Sequence, residues 1–412
     1  MTDTYLRFST AGYRDDGLAR SGRRAVATES LFRRETWATG LAGDLFPSGR
    51  DGHGLREFYT DRYRSSYLMQ TAVLTEDLTF EFEDRERPTP DNDEVLVEMT
   101  DVGICKSDVH YWEHGKIGEY VVEDPLVLGH ESAGVIADVG DDVEGLDVGD
   151  RVALEPGIVC GTCEHCRRGE YNLCPNVDFM ATPPFDGAFA EYVAWPADLA
   201  HVLPESVSQV EGALCEPFAV GLHATRRGSV GHGDTVAILG GGTVGSVTME
   251  AAKAAGATDI IVGDVVDSKL ERAEEHGADA TVNVREGDFA ATVAEYTDGR
   301  GADVVFEATD SEPDVEALID AARRGGTVVM IGLADEATVE VDALEIITNE
   351  LDVLGSFRDA NRYGPAIDLL EDGAAEIEWI ADFTEPLGNV KDAFERARDD
   401  DDAIKGMISI GE

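Results

Sequence analysis

Residues 235–245 read TVAILGGGTVG, and the reading of this stretch decides the second half of the fold. An apolar run from Thr235 to Leu239 meets Gly240-x-Gly242-x-x-Gly245, and a helical pattern follows from about Val244 to Ala255. The three glycines allow a tight turn, close approach of the backbone to a pyrophosphate, and close packing of helix on strand, with the phosphates at the helix N-terminus. A bare match would be weak; the strand before it and the helix behind it give it weight. Asp264 ends the next apolar run, nineteen residues after Gly245. A carboxylate there accepts hydrogen bonds from both adenosine ribose hydroxyls and repels a 2′-phosphate, so NAD is the expected cofactor rather than NADP. The expected cofactor-binding set is Gly240, Gly242, Val244, Gly245, Asp264 and Lys269.

Working outward, residues 235–356 alternate apolar runs with helical stretches. TVAILGGG, DIIVGDVV, ADVVFEAT and GTVVMIGL are separated by helices around Val244 to Ala255, Ser268 to His276 and Val315 to Arg324. That alternation predicts an α/β domain with a doubly wound parallel sheet. Upstream, from Met69 to about residue 216, the rhythm is short strands such as EVLVEMTDVGIC, DRVALEP and EYVAW between Gly, Pro and Asp turns, a β-rich pattern. The last fifty or so residues are mixed and are expected to return to the first domain.

Inside the β-rich region, CGTCEHCRRGEYNLC at residues 160–174 holds four of the chain's six cysteines. Cys160, Cys163, Cys166 and Cys174 can converge on one tetrahedral Zn(II) about 2.3 Å from each sulfur. Four thiolates leave no open position, so such a zinc is structural. An iron–sulfur cluster is the rival reading. The remaining cysteines are Cys105 and Cys215. Cys105 lies in GICKSDVHYWEHGKIGEYVVEDPLVLGHESAGVIADVG with Ser107, Asp108, His110, His130 and Glu131. A thiolate, an imidazole and a carboxylate suit a catalytic zinc that keeps one position for water or substrate.

The 412 residues contain no apolar run near the ~18 needed for a membrane span. The N-terminus shows no secretory pattern, which points to a reducing cytoplasm, where clustered thiols hold metal more often than they form disulfides. With 84 Asp and Glu against 33 Lys and Arg, the net charge is −51, a field that repels nucleic acid and anionic lipid, so neither is an expected partner. Lysine is scarce, six against 27 arginines, and the acid is spread along the chain, as in a solvated surface suited to high intracellular salt. Residues 1–68 differ, with 11 Arg, no Lys and 9 Asp and Glu, and show no sustained apolar period. They are expected to be a disordered or spurious extension, with Met69 opening the first strand.

Taken in order, these motifs resemble the zinc-dependent medium-chain dehydrogenase/reductase family. GHESAGVIADVG is similar to its zinc signature, and the four-cysteine lobe and the Gly240 fingerprint follow where that family has them. GICKSDVHYWEHGKIG at residues 103–118, MATPP at 180–184, ALCEP at 213–217, Arg226-Arg227-Gly228 and Gly355-Ser356-Phe357-Arg358 resemble its polyol branch, the sorbitol (L-iditol) and xylitol dehydrogenases. The resemblance covers residues 69–412. It implies a GroES-like catalytic domain over 69–216, a Rossmann domain over 217–356, and a return to the catalytic domain over 357–412. Two zincs per chain, NAD and a homotetramer are implied with it.

Carried over residue by residue, the resemblance implies zinc ligands at Cys105, His130 and Glu131. Glu216 falls where polyol dehydrogenases bind zinc or its water, while Cys215, one position off, reads as a small buried hydrophobe. Asp108 resembles the carboxylate that orients the ligand histidine. The implied reaction moves hydride from a carbinol carbon to nicotinamide, with zinc lowering the hydroxyl's pKa and Ser107 passing the proton towards solvent. Tyr111, Glu216 and Arg358 are implied to meet the remaining hydroxyls, with Phe179 and Phe357 as apolar walls. Asp359 stands where the animal sorbitol enzymes carry a tyrosine, which leaves the particular polyol open. A threonine or simple alcohol dehydrogenase, and a non-catalytic relative of the same fold, are the alternatives.

Overall fold

The computed structural model describes residues 67–309, 315–332, 338–339 and 341–411. The expected extension over 1–68 falls outside them except for its last two residues, and Leu68 already belongs to a strand.

The β-rich half is built on a seven-stranded sheet. Its centre is Glu94–Gly103, which is buried along most of its length and pairs antiparallel with Glu131–Val139. Its other edge is shared by Tyr192–Pro196 and, further along, by Lys405–Ser409, so the C-terminus does return to the first sheet. Ala381–Pro386 lies parallel beside Lys405–Ser409, and Arg151–Leu154 with Ala200–Val202 completes the opposite side. A hairpin of Leu68–Leu74 and Phe80–Glu86 buries Ala72, Val73 and Leu74 against this core, while FEFEDRE keeps most of its acids in water.

The second half is a six-stranded parallel sheet. Its spatial order is Ala280–Asn283, Asp259–Asp264, Thr235–Leu239, Ala302–Glu307, Ala322–Met330, Asp352–Gly355. Chain order reverses between Thr235–Leu239 and Ala302–Glu307, the place where doubly wound sheets bind ligands beyond their strand ends. The inner strands Thr235–Leu239 and Ala302–Glu307 are wholly buried, which explains their continuous apolar runs. One expected boundary changes. The helix read as Val315 to Arg324 ends at Ala321, and Ala322–Met330 forms a strand parallel to Ala302–Glu307 and Asp352–Gly355. The β-branched run Thr327-Val328-Val329 at the sheet centre decides the conformation there.

The expected domain boundary between residues 216 and 217 lies inside one helix, Gln209–Arg227. A capping box starts that helix: the Ser208 hydroxyl accepts from Glu211 N, and Glu211 accepts from Ser208 N. Its apolar face does not belong to either half. Leu214 and Phe218 share one core with Ala133 and Ala153 of the first sheet and with Val247 and Ala251 of the helix Thr243–Ala255. Gly221 makes that approach possible, since a Cβ there would stand 2.7 Å from the carbonyl of Val247.

Candidate active site

Cys105 caps the helix Lys106–His114, and the carboxylate of Asp108 completes the cap by accepting from Cys105 N at 3.1 Å. The other Asp108 oxygen accepts from Gly129 N at 3.1 Å and lies 3.5 Å from His130 Nδ1. One buried carboxylate thus fixes both the helix start that carries the thiol and the ring of the histidine. Glu131 begins the next strand, directly opposite Gly103. A Cβ on residue 103 would stand 2.0 Å from a Glu131 oxygen, so any larger residue there would displace the carboxylate. The donor atoms of Cys105, His130 and Glu131 all lie within 4.8 Å of one another, a sulfur, nitrogen and oxygen set that fits zinc.

Around this group the chain places the expected substrate residues. The Phe179 ring lies 5.7 Å from the His130 ring, and the Arg358 guanidinium carbon lies over Phe179 at 3.9 Å and 4.9 Å from the Phe357 ring. Burial lowers the pKa of Arg358, partly offset by Tyr120, Glu216 and Tyr111. Tyr111 is buried on the Lys106–His114 helix, and burial pushes its hydroxyl up to about 12, so it stays a neutral donor at ordinary pH. Glu216 is pushed up to about 7, first by burial, with Glu131 acting in the same direction and His130, Lys405 and Arg358 against it.

In the cysteine lobe, neighbouring sulfurs lie 3.4 Å (Cys163 and Cys166), 3.6 Å (Cys160 and Cys174) and 3.9 Å (Cys160 and Cys166) apart. Four sulfurs at ~2.3 Å from one tetrahedral centre are about 3.8 Å apart, so the set fits a single zinc. Backbone N–H groups of Thr162 and Cys163 bring the Cys160 thiol down to about 5, which prepares it to bind as thiolate.

The nucleotide cradle has the shape its glycines require. Gly240 takes φ +111°, and a Cβ there would meet the Ala308 carbonyl at 2.4 Å; at Gly245 it would meet the Gly240 carbonyl at 1.8 Å. At Gly242 it would meet nothing within 4 Å, and Gly242 caps Thr243–Ala255 with no side-chain bond to the helix end. That open, donor-rich turn suits a pyrophosphate. Asp264 ends its strand beside the turn, accepting from Gly241 N at 2.6 Å and Val266 N at 2.9 Å.

The model of the alcohol dehydrogenase GroES-like domain matches residues 91–205, and that of the zinc-binding dehydrogenases matches residues 243–372. Sorbitol dehydrogenase of Bacillus subtilis (strain 168) is 43% identical over 329 residues, which are 80% of this chain and 93% of that protein. The chain belongs to the zinc-dependent medium-chain dehydrogenases. D-xylulose reductase A of Aspergillus niger is 40% identical over 335 residues, 80% of this dehydrogenase and 92% of the relative. Among solved structures, an Escherichia coli oxidoreductase of unknown specificity superposes with a TM-score of 0.80 at 36% identity, covering 84% of this chain and all of that one. Zinc and NAD(H) accompany this family, and the donor sets and cradle above fit them.

The dehydrogenase thus gathers most of the residues singled out from its sequence. Cys105, His130 and Glu131 form one group; Tyr111 and Phe179 lie beside it, Arg358 over Phe179, and the largely exposed Phe357 ring on the far side of Arg358. Glu216 stands beside that group rather than within its 4.8 Å set. Cys215 is fully buried, as a small hydrophobe would be. Ser107 lies on the first helical turn next to Asp108. Asp359 is buried, and burial first, then Glu155 and Glu216, hold its carboxyl well above the usual range.

Lys405 was not foreseen. Its ammonium donates to both Glu131 oxygens, at 2.7 and 2.8 Å, and to the Ile104 carbonyl at 2.9 Å, in a pair that is 2% exposed on each side. Burial opposes its charge, but Glu131 and Cys105 outweigh that and hold its pKa above the ordinary value. Glu131 therefore divides its carboxylate between a cation of the chain and the metal position. A lysine inside the apolar run AIKGMISI, in a chain with six lysines, was the available signal; its partner is 274 residues away.

Proposed function

We propose that this dehydrogenase oxidises a secondary hydroxyl of a sugar alcohol of the sorbitol, xylitol or iditol type to the ketose, with NAD as the acceptor. The observation that carries the reading is Arg358: a half-buried guanidinium stacked over Phe179, beside His130, where the further hydroxyls of a polyol would lie. When bound, zinc and NAD supply Lewis acidity at the reacting oxygen and a hydride acceptor. Cys105, His130 and Glu131 would hold the catalytic zinc, with Glu216 beside it, and Cys160, Cys163, Cys166 and Cys174 a second, structural one. Asp108 keeps the His130 ring turned so that its other nitrogen is free, and Lys405 holds Glu131 in place. Ser107 passes the hydroxyl proton towards solvent. Tyr111 and Arg358 orient the chain of hydroxyls, while Phe179 and Phe357 exclude water. Asp264 holds the ribose diol, and Gly240, Gly242, Val244, Gly245 and Lys269 line the cradle.

Initial rates on C4 to C6 polyols, L-threonine and 2-propanol, each with NAD and NADP, test this reading. Polyols with NAD are expected to give kcat/KM at least about tenfold above the other pairs. Preference for threonine or 2-propanol would replace the substrate class, and preference for NADP would overturn the role of Asp264.

The same reading includes a homotetramer in a salt-rich cytoplasm. Support for assembly comes from the outer strand Asp352–Gly355, with Val353 exposed, and from the nearby helix Ala343–Asn349, where Leu344 and Ile347 are 65% and 70% exposed. Residues 69–412 carry 22 basic and 75 acidic side chains. At 0.01 M salt the Debye length is ~30 Å and charges across the whole surface repel; near 1 M it is ~3 Å. The enzyme is therefore expected to be tetrameric and active at 1–3 M KCl and to loosen and lose activity at 0.05 M. Sizing and activity measured across that range check it, and a tetramer equally active throughout would leave the acid a role in solubility alone.

A further inference from the structure

Three hydrogen bonds tie the segment that carries Arg358 to the loop between the third and fourth cysteines. Asn172 Nδ2 donates to the Phe357 carbonyl at 2.9 Å. Asn361 Nδ2 donates to the Gly169 carbonyl at 2.9 Å, and Asn361 N donates to the Tyr171 hydroxyl at 2.6 Å. Tyr171 in turn donates to Glu155 at 2.6 Å, so the loop is itself anchored to the catalytic half. One anchor precedes Arg358 by a residue and two follow it by three.

The segment would not hold this shape alone. Arg358 has φ +50° and Asn361 φ +58°, left-handed conformations that residues with a Cβ adopt only where surroundings impose them. Asparagine tolerates that region better than most residues, and at 361 its side chain also supplies one of the three bonds, its backbone N–H another. The Arg358 guanidinium forms no hydrogen bond or ion pair with any described residue; it is held by stacking on Phe179 and Phe357 and by its backbone. Moving the backbone therefore moves the charge.

We infer that the cysteine lobe is the platform that sets Arg358, and that Asn172 and Asn361 are positioning residues for recognition of the hydroxyls distal to the reacting carbon. The inference rests on the polyol reading. It gives the seven residues between Cys166 and Cys174 a task apart from metal binding, because Gly169, Tyr171 and Asn172 all lie among them.

The test uses full-length enzyme with Asn172→Ala and Asn361→Asp, the second chosen because aspartate also tolerates a left-handed backbone but loses the donor. The double variant is expected to raise KM for the preferred polyol about tenfold while kcat and KM for NAD stay within about twofold. In an Arg358→Ala background the same two changes are expected to shift polyol KM by less than about twofold, since nothing is left to position. Zinc content and melting temperature are read alongside; if the double variant melts early, Asn172→Ser alone carries the same cycle. An unchanged polyol KM, equal losses in kcat and KM, or a full effect persisting without Arg358 would overturn the inference. A wild-type enzyme that oxidises no polyol would sink the parent reading instead.

Discussion

A His130→Ala enzyme is expected to lose at least about a thousandfold in kcat/KM while remaining folded. The imidazole is one of three donors that close within 4.8 Å, and a catalytic metal contributes several kcal/mol to transition-state stabilisation, about 1.4 kcal/mol per tenfold. Folding should suffer far less. Without the ring, Asp108 keeps its bonds to Cys105 N and Gly129 N, so no buried carboxylate is left unpaired. The measurements are kcat/KM, zinc per chain and melting temperature. Activity within tenfold of wild type would remove His130 from the centre, and an unfolded variant would show its role to be structural.

Cys163→Ser is expected to do the opposite, damaging the fold before the chemistry. The lobe has almost no core: neither its helix Glu164–Arg168 nor its short turn Tyr171–Leu173 buries a residue, and of the four cysteines only Cys174 is buried. Apolar burial cannot hold such a segment, whereas a structural zinc site contributes on the order of 10 kcal/mol when formed. The variant should bind one zinc per chain fewer than the wild type, melt on the order of 10 °C lower, and be nicked by protease within residues 160–174. Unchanged metal content and melting temperature would show that the thiols are not ligands.

What could be read in advance was local. The glycine turn, Asp264 and the four cysteines each lie in a short stretch whose spacing has one good physical use, with Asp264 beside the turn and the four sulfurs gathered together. The residue types of Cys105, His130 and Glu131 alone left that group open, and its assignment came from the resemblance to the zinc dehydrogenases. The rest is fixed by pairs far apart in the chain, on which a pattern of residues is silent. Lys405 reaches Glu131 only because the last strand joins the first sheet, and Asn361 meets Gly169 across 192 positions. Element ends depend on distant contacts too. The apolar residues of Gln209–Arg227 look like the edge of one domain, but tertiary contacts on two sides make them a single helix, and pairing within the sheet overrides helical propensity from Ala322 onward.

That shared helix sets a rule for anyone who would recombine this protein. A chimera that grafts a foreign nucleotide-binding half at residue 216 would sever Glu216 from Phe218 and split a core to which the first sheet and the helix Thr243–Ala255 both contribute. The workable crossovers flank the helix, before Ser208 or after Gly228, and whichever donor supplies it must also bring matching side chains opposite Val247 and Ala251. Lineages that exchange cofactor preference by swapping modules would therefore have to inherit Gln209–Arg227 as one indivisible cassette.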